Sequence, residues 1–148
     1  MDVPAGDMLG LTRMSDVAVE VSVNGNRRPV SNVAELRAWL DEIRVTPYLE
    51  VWLSRPGGAA LAILTNRARA WLMYLRHEGD AGYSSRNPAY RDPEAATLDF
   101  YLSNGQRDEY PAAWTIPTEA AFDAAEHFFI SGEMDPSVTW HDDSATAA

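Results

Sequence analysis

The order of hydrophobic patterns along the chain predicts an α+β fold, a mostly antiparallel sheet of about five to six strands covered by two helices. Three observations carry this. Apolar runs alternate with period two at several places, two segments have helical spacing instead, and these follow one another as strand, helix, a run of strands, helix. The chain has 148 residues with neither internal repeats nor an interdomain linker, so 1–148 reads as one domain. A chain of this length buries roughly two thirds of its unfolded surface and needs no disulfide or metal to hold it. Residues 1–14 and 143–148 read as flexible ends.

In order, "VAVEVSV" (Val17 to Val23) places four valines on one face and Ala18, Glu20 and Ser22 on the other, as a half-buried strand requires. A turn at Asn24 to Asn26 follows. In "SNVAELRAWLDEIR", Val33, Leu36, Trp39, Leu40 and Ile43 form one helical stripe, with Asn32 as N-cap and Glu35 as its capping-box partner. "PYLEVWLSRPGG" alternates through Leu49, Val51 and Leu53 and stops at Pro56 and Gly57. "AALAILTN" and "RARAWLMYLR" follow. For the second of these, alanine content favours helix, while the spacing of Trp71, Met73 and Leu75 and the hairpin context favour strand, the reading adopted here.

Residues 79–90, "GDAGYSSRNPAY", read as a loop of turn-forming residues. "TLDFYLSN" then puts Leu98, Phe100 and Leu102 on one face of a strand, "NGQRDE" makes a turn, and "AAWTIP" reads as a short extended piece. Thr118 is the expected cap of the helix "EAAFDAAEHFFISG". Its apolar stripe is Ala121, Phe122, Ala125 and Phe128 or Phe129, and Gly132 is its C-terminal stop. "PSVTW" can add a brief strand, and "HDDSATAA" reads as a frayed tail.

Composition narrows the function. There is no cysteine, which excludes disulfides, thiolate metal sites and a cysteine nucleophile. The acidic N-terminus has no apolar core of the secretory kind, and no run approaches the roughly 18 apolar residues of a membrane span. A cytoplasmic protein is expected. The net charge is −10 and is unevenly spread: nine arginines face eight acids up to Arg76, and three face fourteen from His77 onward. Nucleic-acid binding needs a basic footprint, so a direct nucleic-acid ligand is not expected, and a basic protein partner fits better.

Catalytic patterns are incomplete. "GYSSR" resembles the start of a G-x-S-x-G elbow but has Arg86 where the last glycine belongs, and no helix follows. His127 lies one turn after Asp123, and "HEGD" gathers three candidate ligands, yet no second cluster answers either at metal-site spacing. Neither G-x-G-x-x-G nor a Walker pattern is present. No catalytic residue, metal or cofactor is therefore assigned. The rival readings are a small hydrolase using Ser84 or Ser85 with a distant histidine, and an adaptor or scaffold domain. What the sequence does offer is a surface: Tyr83, Tyr90, Tyr110 and Trp114 stand among Asp, Glu, Asn and Ser, the mixture of rigid anchors and adaptable polar groups found in protein-binding faces. The same aromatics could equally fill the rim of the core.

Three stretches, "LMYLRHEGDAGYSSRNPAY", "FYLSNGQRDEYPAAWTIP" and "AAEHFFISGEMDPSVTW", resemble in content and order the immunity protein family numbered one of bacterial polymorphic toxin systems. The resemblance covers residues 48–142, and the first 45 residues match only as a strand followed by a helix. It implies a small cytoplasmic non-enzyme that binds and blocks a cognate toxin. Such families often accompany nucleic-acid-modifying toxins, deaminases among them, whose basic cleft an acidic inhibitor could fill. On that basis Tyr83, Tyr90, Tyr110 and Trp114 are the expected anchors. Asp80, Asp108 and Glu109 are the expected electrostatic complements, and Arg86 and Asn87 the expected hydrogen-bonding contacts.

Overall fold

A computed structural model of the chain describes residues 19–91 and 96–144. Its strands are β1 (Glu20–Val23), β2 (Asn26–Arg27), β3 (Leu49–Ser54), β4 (Ala60–Thr65), β5 (Arg69–Leu75), β6 (Tyr83–Arg86), β7 (Thr97–Tyr101), β8 (Arg107–Pro111), β9 (Ile116–Pro117) and β10 (Thr139–Asp142). The helices are α1 (Val33–Ile43) and α2 (Thr118–Ser131), and a 3₁₀ turn spans Ala112–Trp114. The α+β architecture is the one the periodicity predicts. Residues 69–75 are strand, so alternation wins over alanine propensity there.

Eight strands form one sheet in the order β10, β6, β5, β4, β3, β1, β2, with β9 also on β5, while β7 and β8 pair only with each other. Every pair among the described residues is antiparallel. The sheet is larger than expected because short pieces with weak apolar alternation, such as β2, β6, β9 and β10, pair at its margins.

Register sorts the side chains onto two faces. Val51, Ile63 and Leu72 lie side by side across β3, β4 and β5, and so do Leu53, Leu61 and Tyr74. These residues join Leu36, Trp39 and Leu40 of α1 and Ala121, Phe122, Ala125 and Phe128 of α2 in the main core, so both helices cover the same face. Arg37 of α1 reaches Glu119, Asp123 and Glu126 of α2, and Arg44 also reaches Glu119. Three of the fourteen acids of the second half are thus paired between the helices.

The helix ends agree with the sequence in two cases and depart from it in one. Asn32 Oδ1 accepts from the Glu35 N–H at 2.9 Å, as an N-cap does, while Glu35 reaches back to the Ser31 N–H rather than to that of Asn32. Gly132 ends α2 in the left-handed region, and Arg55 donates to the Phe128 and Phe129 carbonyls there. Thr118, however, is the first residue of α2 rather than its cap. Its hydroxyl donates to the Arg67 carbonyl instead, at a turn where Arg67 has φ 79°.

Three further expectations are corrected. Residues 83–86 of the predicted loop form β6, and two consecutive buried serines in that strand hide it from a hydrophobic pattern. The extended piece at 112–117 closes first as a 3₁₀ turn, with the Thr115 N–H and hydroxyl both donating to the Ala112 carbonyl. His141 and Asp142, read as the start of the tail, complete β10. Val17 and Ala18 of the first predicted strand, the end at 1–14 and the last four residues lie outside the described residues.

Candidate functional site

The sheet face away from the helices is only partly covered. Glu50 and Trp52 of β3, Ala62 and Leu64 of β4, and Trp71 and Met73 of β5 point there in register. The β7–β8 hairpin lies over part of it, because Leu98, Phe100 and Leu102 share one side of the hairpin with Asp108 and Tyr110. Phe100 is fully buried with Leu64 and Trp71, and the Tyr110 ring stacks on Trp71 at 4.1 Å and 6°. Burial, followed by the charge of Asp108, pushes the Tyr110 phenol up from its ordinary pKa.

Beside that contact a cleft of about 180 Å³ stays open, lined by Glu50, Trp52, Ala62, Leu64, Trp71, Met73, Leu102, Asp108 and Tyr110. Glu50 accepts from the Ser103 N–H and hydroxyl and from Trp52 Nε1, each at 2.9 Å. Burial alone would raise its pKa, but the hydrogen bonds from Ser103 and Trp52 outweigh that and hold the carboxyl below its usual range. Asp108 accepts from Gln106 Nε2 at 2.8 Å and from the Tyr110 hydroxyl at 3.2 Å. On the outer side of the hairpin, Glu109 accepts from the Thr97 hydroxyl, and Tyr101 meets Tyr48 edge-on at 4.6 Å.

The other sequence-predicted residues brace the sheet edge that β6 and β9 share along β5. Asp80 receives the Arg76 N–H, Nε and Nη2 at 2.7–2.8 Å, and its side chain is only 4% exposed. The Arg76 guanidinium holds its pKa well below the usual carboxylate range. That same guanidinium lies over the Tyr83 ring at 5.1 Å. Arg86 stacks on the Trp114 ring at 3.8 Å, and Asn87 donates to the Thr115 carbonyl through its amide and to the Ala113 carbonyl through its backbone. Tyr90 lies under Arg69, 6.0 Å from ring to guanidinium. The segments 79–90 and 103–115 therefore interlock through Arg86, Asn87 and the 112–115 turn, and Tyr110 and Trp114 join these two motifs to the hairpin. Asp80 and Tyr83 stand apart from that junction, beside Tyr74 and Arg76.

The serines are built into the backbone network. Ser85 is 0% exposed, accepts from the Leu72 N–H and donates to the Trp114 carbonyl. Ser84 donates to Asp143, and Asp143 also lies 3.8 Å from His141 Nε2. A carboxylate rather than an imidazole thus meets the hydroxyl, the reverse of the arrangement that activates a serine nucleophile. Among the described residues no three His, Asp or Glu gather closely enough to hold a metal, and no helix is long and apolar enough to cross a membrane.

Glu50, Trp52, Met73 and Leu102 were missed as candidates by sequence reasoning. One signal was available: in "LEVWLS" the buried phase is Leu49, Val51 and Leu53, which leaves a tryptophan where a half-exposed strand ordinarily carries a polar residue.

Against protein-family models, residues 24–142 match the family described as immunity protein Imm1. That span runs from the turn after β1 to the last residue of β10 and takes in both interlocked motifs and the hairpin. No curated protein matches the chain.

Proposed function

The chain belongs to the Imm1 family of immunity proteins, and we propose on that basis that it binds a cognate bacterial toxin and neutralises it by covering the toxin's active site or substrate groove. The family match over 24–142 is the observation that carries this reading. The toxin in this reading is a nucleic-acid-modifying, deaminase-like domain. Such an enzyme grips a polyanion with basic residues, and the acids concentrated after His77 suit a protein that competes for them. The inhibitor works in the cytoplasm as a binding protein, without catalysis or cofactor.

The contacts we propose centre on the hairpin, with Asp108 on its cleft side and Glu109 on its outer side. Asp108 and Glu109 supply charge, and Tyr110, Trp114 and Tyr90 supply aromatic surface. Asp80 and Tyr83 contribute mainly by bracing the sheet edge at Arg76, and Arg86 and Asn87 by fixing the 112–115 turn that carries Trp114. Co-expression with the toxin domain encoded beside this gene tests the reading. Cells carrying both should grow normally while cells carrying the toxin alone die. Equal killing with and without this protein would remove the immunity assignment.

A further inference from the structure

The described acids of this chain mostly have partners of opposite charge. Asp80 holds Arg76, Asp99 lies near Arg107, and Glu119, Asp123 and Glu126 converge on Arg37. Several do not, Glu35 and Glu109 among them; Glu50 and Asp108 are likewise not ion-paired among the described residues, and their hydrogen bonds come from neutral donors. Both line the same cleft, one on the sheet wall and one on the hairpin wall, and the rest of that cleft is apolar or aromatic. A carboxylate between low-dielectric walls is screened less than one in open water and attracts a cation more strongly.

The lone-pair inventory leaves room for such a cation. Glu50 Oε2 and both Asp108 oxygens each accept a single hydrogen bond, and a carboxylate oxygen can take two. No arginine or histidine is among the residues that line this cleft, so it supplies no cation of its own. Its shape also selects between cations. Trp52 and Tyr110 offer ring surface, and a guanidinium both stacks on such surface and forks onto a carboxylate, whereas an ammonium is a compact, strongly hydrated charge.

We propose that the Glu50–Asp108 cleft is a socket for an arginine side chain projected by the protein partner. The inference rests on the immunity reading for the identity of the partner, but not for the chemistry of the socket. A basic residue that grips nucleic acid in a toxin is the kind of group it would remove from service.

The socket can be tested without the toxin, using N-acetyl-arginine amide as the probe and the indole N–H signals of the five tryptophans in an NMR spectrum. Millimolar probe should shift the Trp52 and Trp71 signals, while N-acetyl-norleucine amide, of similar length and uncharged, should not. Asp108→Asn, and separately Glu50→Gln, should weaken the response about tenfold. If Glu50→Gln disturbs the anchor to Ser103 and fails to fold, Asp108→Asn decides alone. No shift with the arginine probe, or an equal shift in folded Asp108→Asn protein, would overturn the socket. Because the toxin is absent, this result and the co-expression result can fail independently.

Discussion

Gly82→Ala is expected to destabilise the protein by about 2–5 kcal/mol, the sum of a backbone penalty and an overpacking penalty. Gly82 has φ +80°, a region that costs an alanine and not a glycine. The added Cβ would also sit 2.6 Å from the Tyr74 carbonyl oxygen and 2.7 Å from Leu75 Cδ2. The carbonyl is backbone of β5 in the middle of the fold, so it cannot swing aside as a flexible side chain could. Gly82 also receives the Asp143 N–H at its carbonyl, which ties β10 to the same point. Urea denaturation of wild type and variant measures the loss. A midpoint unchanged within error would mean that this approach is not part of what holds the edge together.

Phe100→Ala should cost about 3–5 kcal/mol, the range for removing a large aromatic from a filled core. Phe100 is fully buried, yet its surroundings are the smaller cluster of Leu64 and Trp71 with Leu98, Leu102, Tyr110 and Trp114 around it. It is the main apolar link between the β7–β8 hairpin and the sheet. Local opening of weakly held segments precedes global unfolding in many folds, so the hairpin should loosen before the helices do. Hydrogen exchange should therefore show residues 97–111 losing protection while α1 and α2 keep theirs. Uniform loss over the whole chain would show that the hairpin is not a separable unit.

Much of this fold was legible because apolar residues recur with period two in β3 and β7 and at helical spacing in α1 and α2. Leu49, Val51, Leu53, Phe100 and the stripe through Phe122 and Phe128 are buried, as the spacing predicts, with Leu98 and Leu102 half-buried beside Phe100. What escaped was structure held by polar groups. β6 is strand because Ser85 satisfies two backbone groups of its neighbours, and Thr118 leaves the cap position because the Arg67 carbonyl claims its hydroxyl. Such choices depend on partners 13 to 51 residues away in the chain, which periodicity cannot register.

The same limit applies to the site. Tyr110 and Trp114 could be singled out as aromatics among polar residues, but that Tyr110 would stack on Trp71 requires the hairpin to fold back over β5. Glu50 looked like an ordinary outward strand residue, and only the placement of the hairpin gives it a wall opposite. Motif residues such as Asp80 and Arg86 stood out for their chemistry, and that chemistry is spent within the fold, on Arg76 and on Trp114.

The most direct test of the central claim is titration of the purified toxin domain with this protein while the toxin's catalytic rate is followed, at low and at high salt. The immunity reading predicts that activity falls to zero once the inhibitor matches the toxin in concentration. It also predicts that more inhibitor is needed at high salt, because acidic groups facing a basic cleft are screened. Full toxin activity in the presence of a large excess of this protein, at either salt, would contradict it.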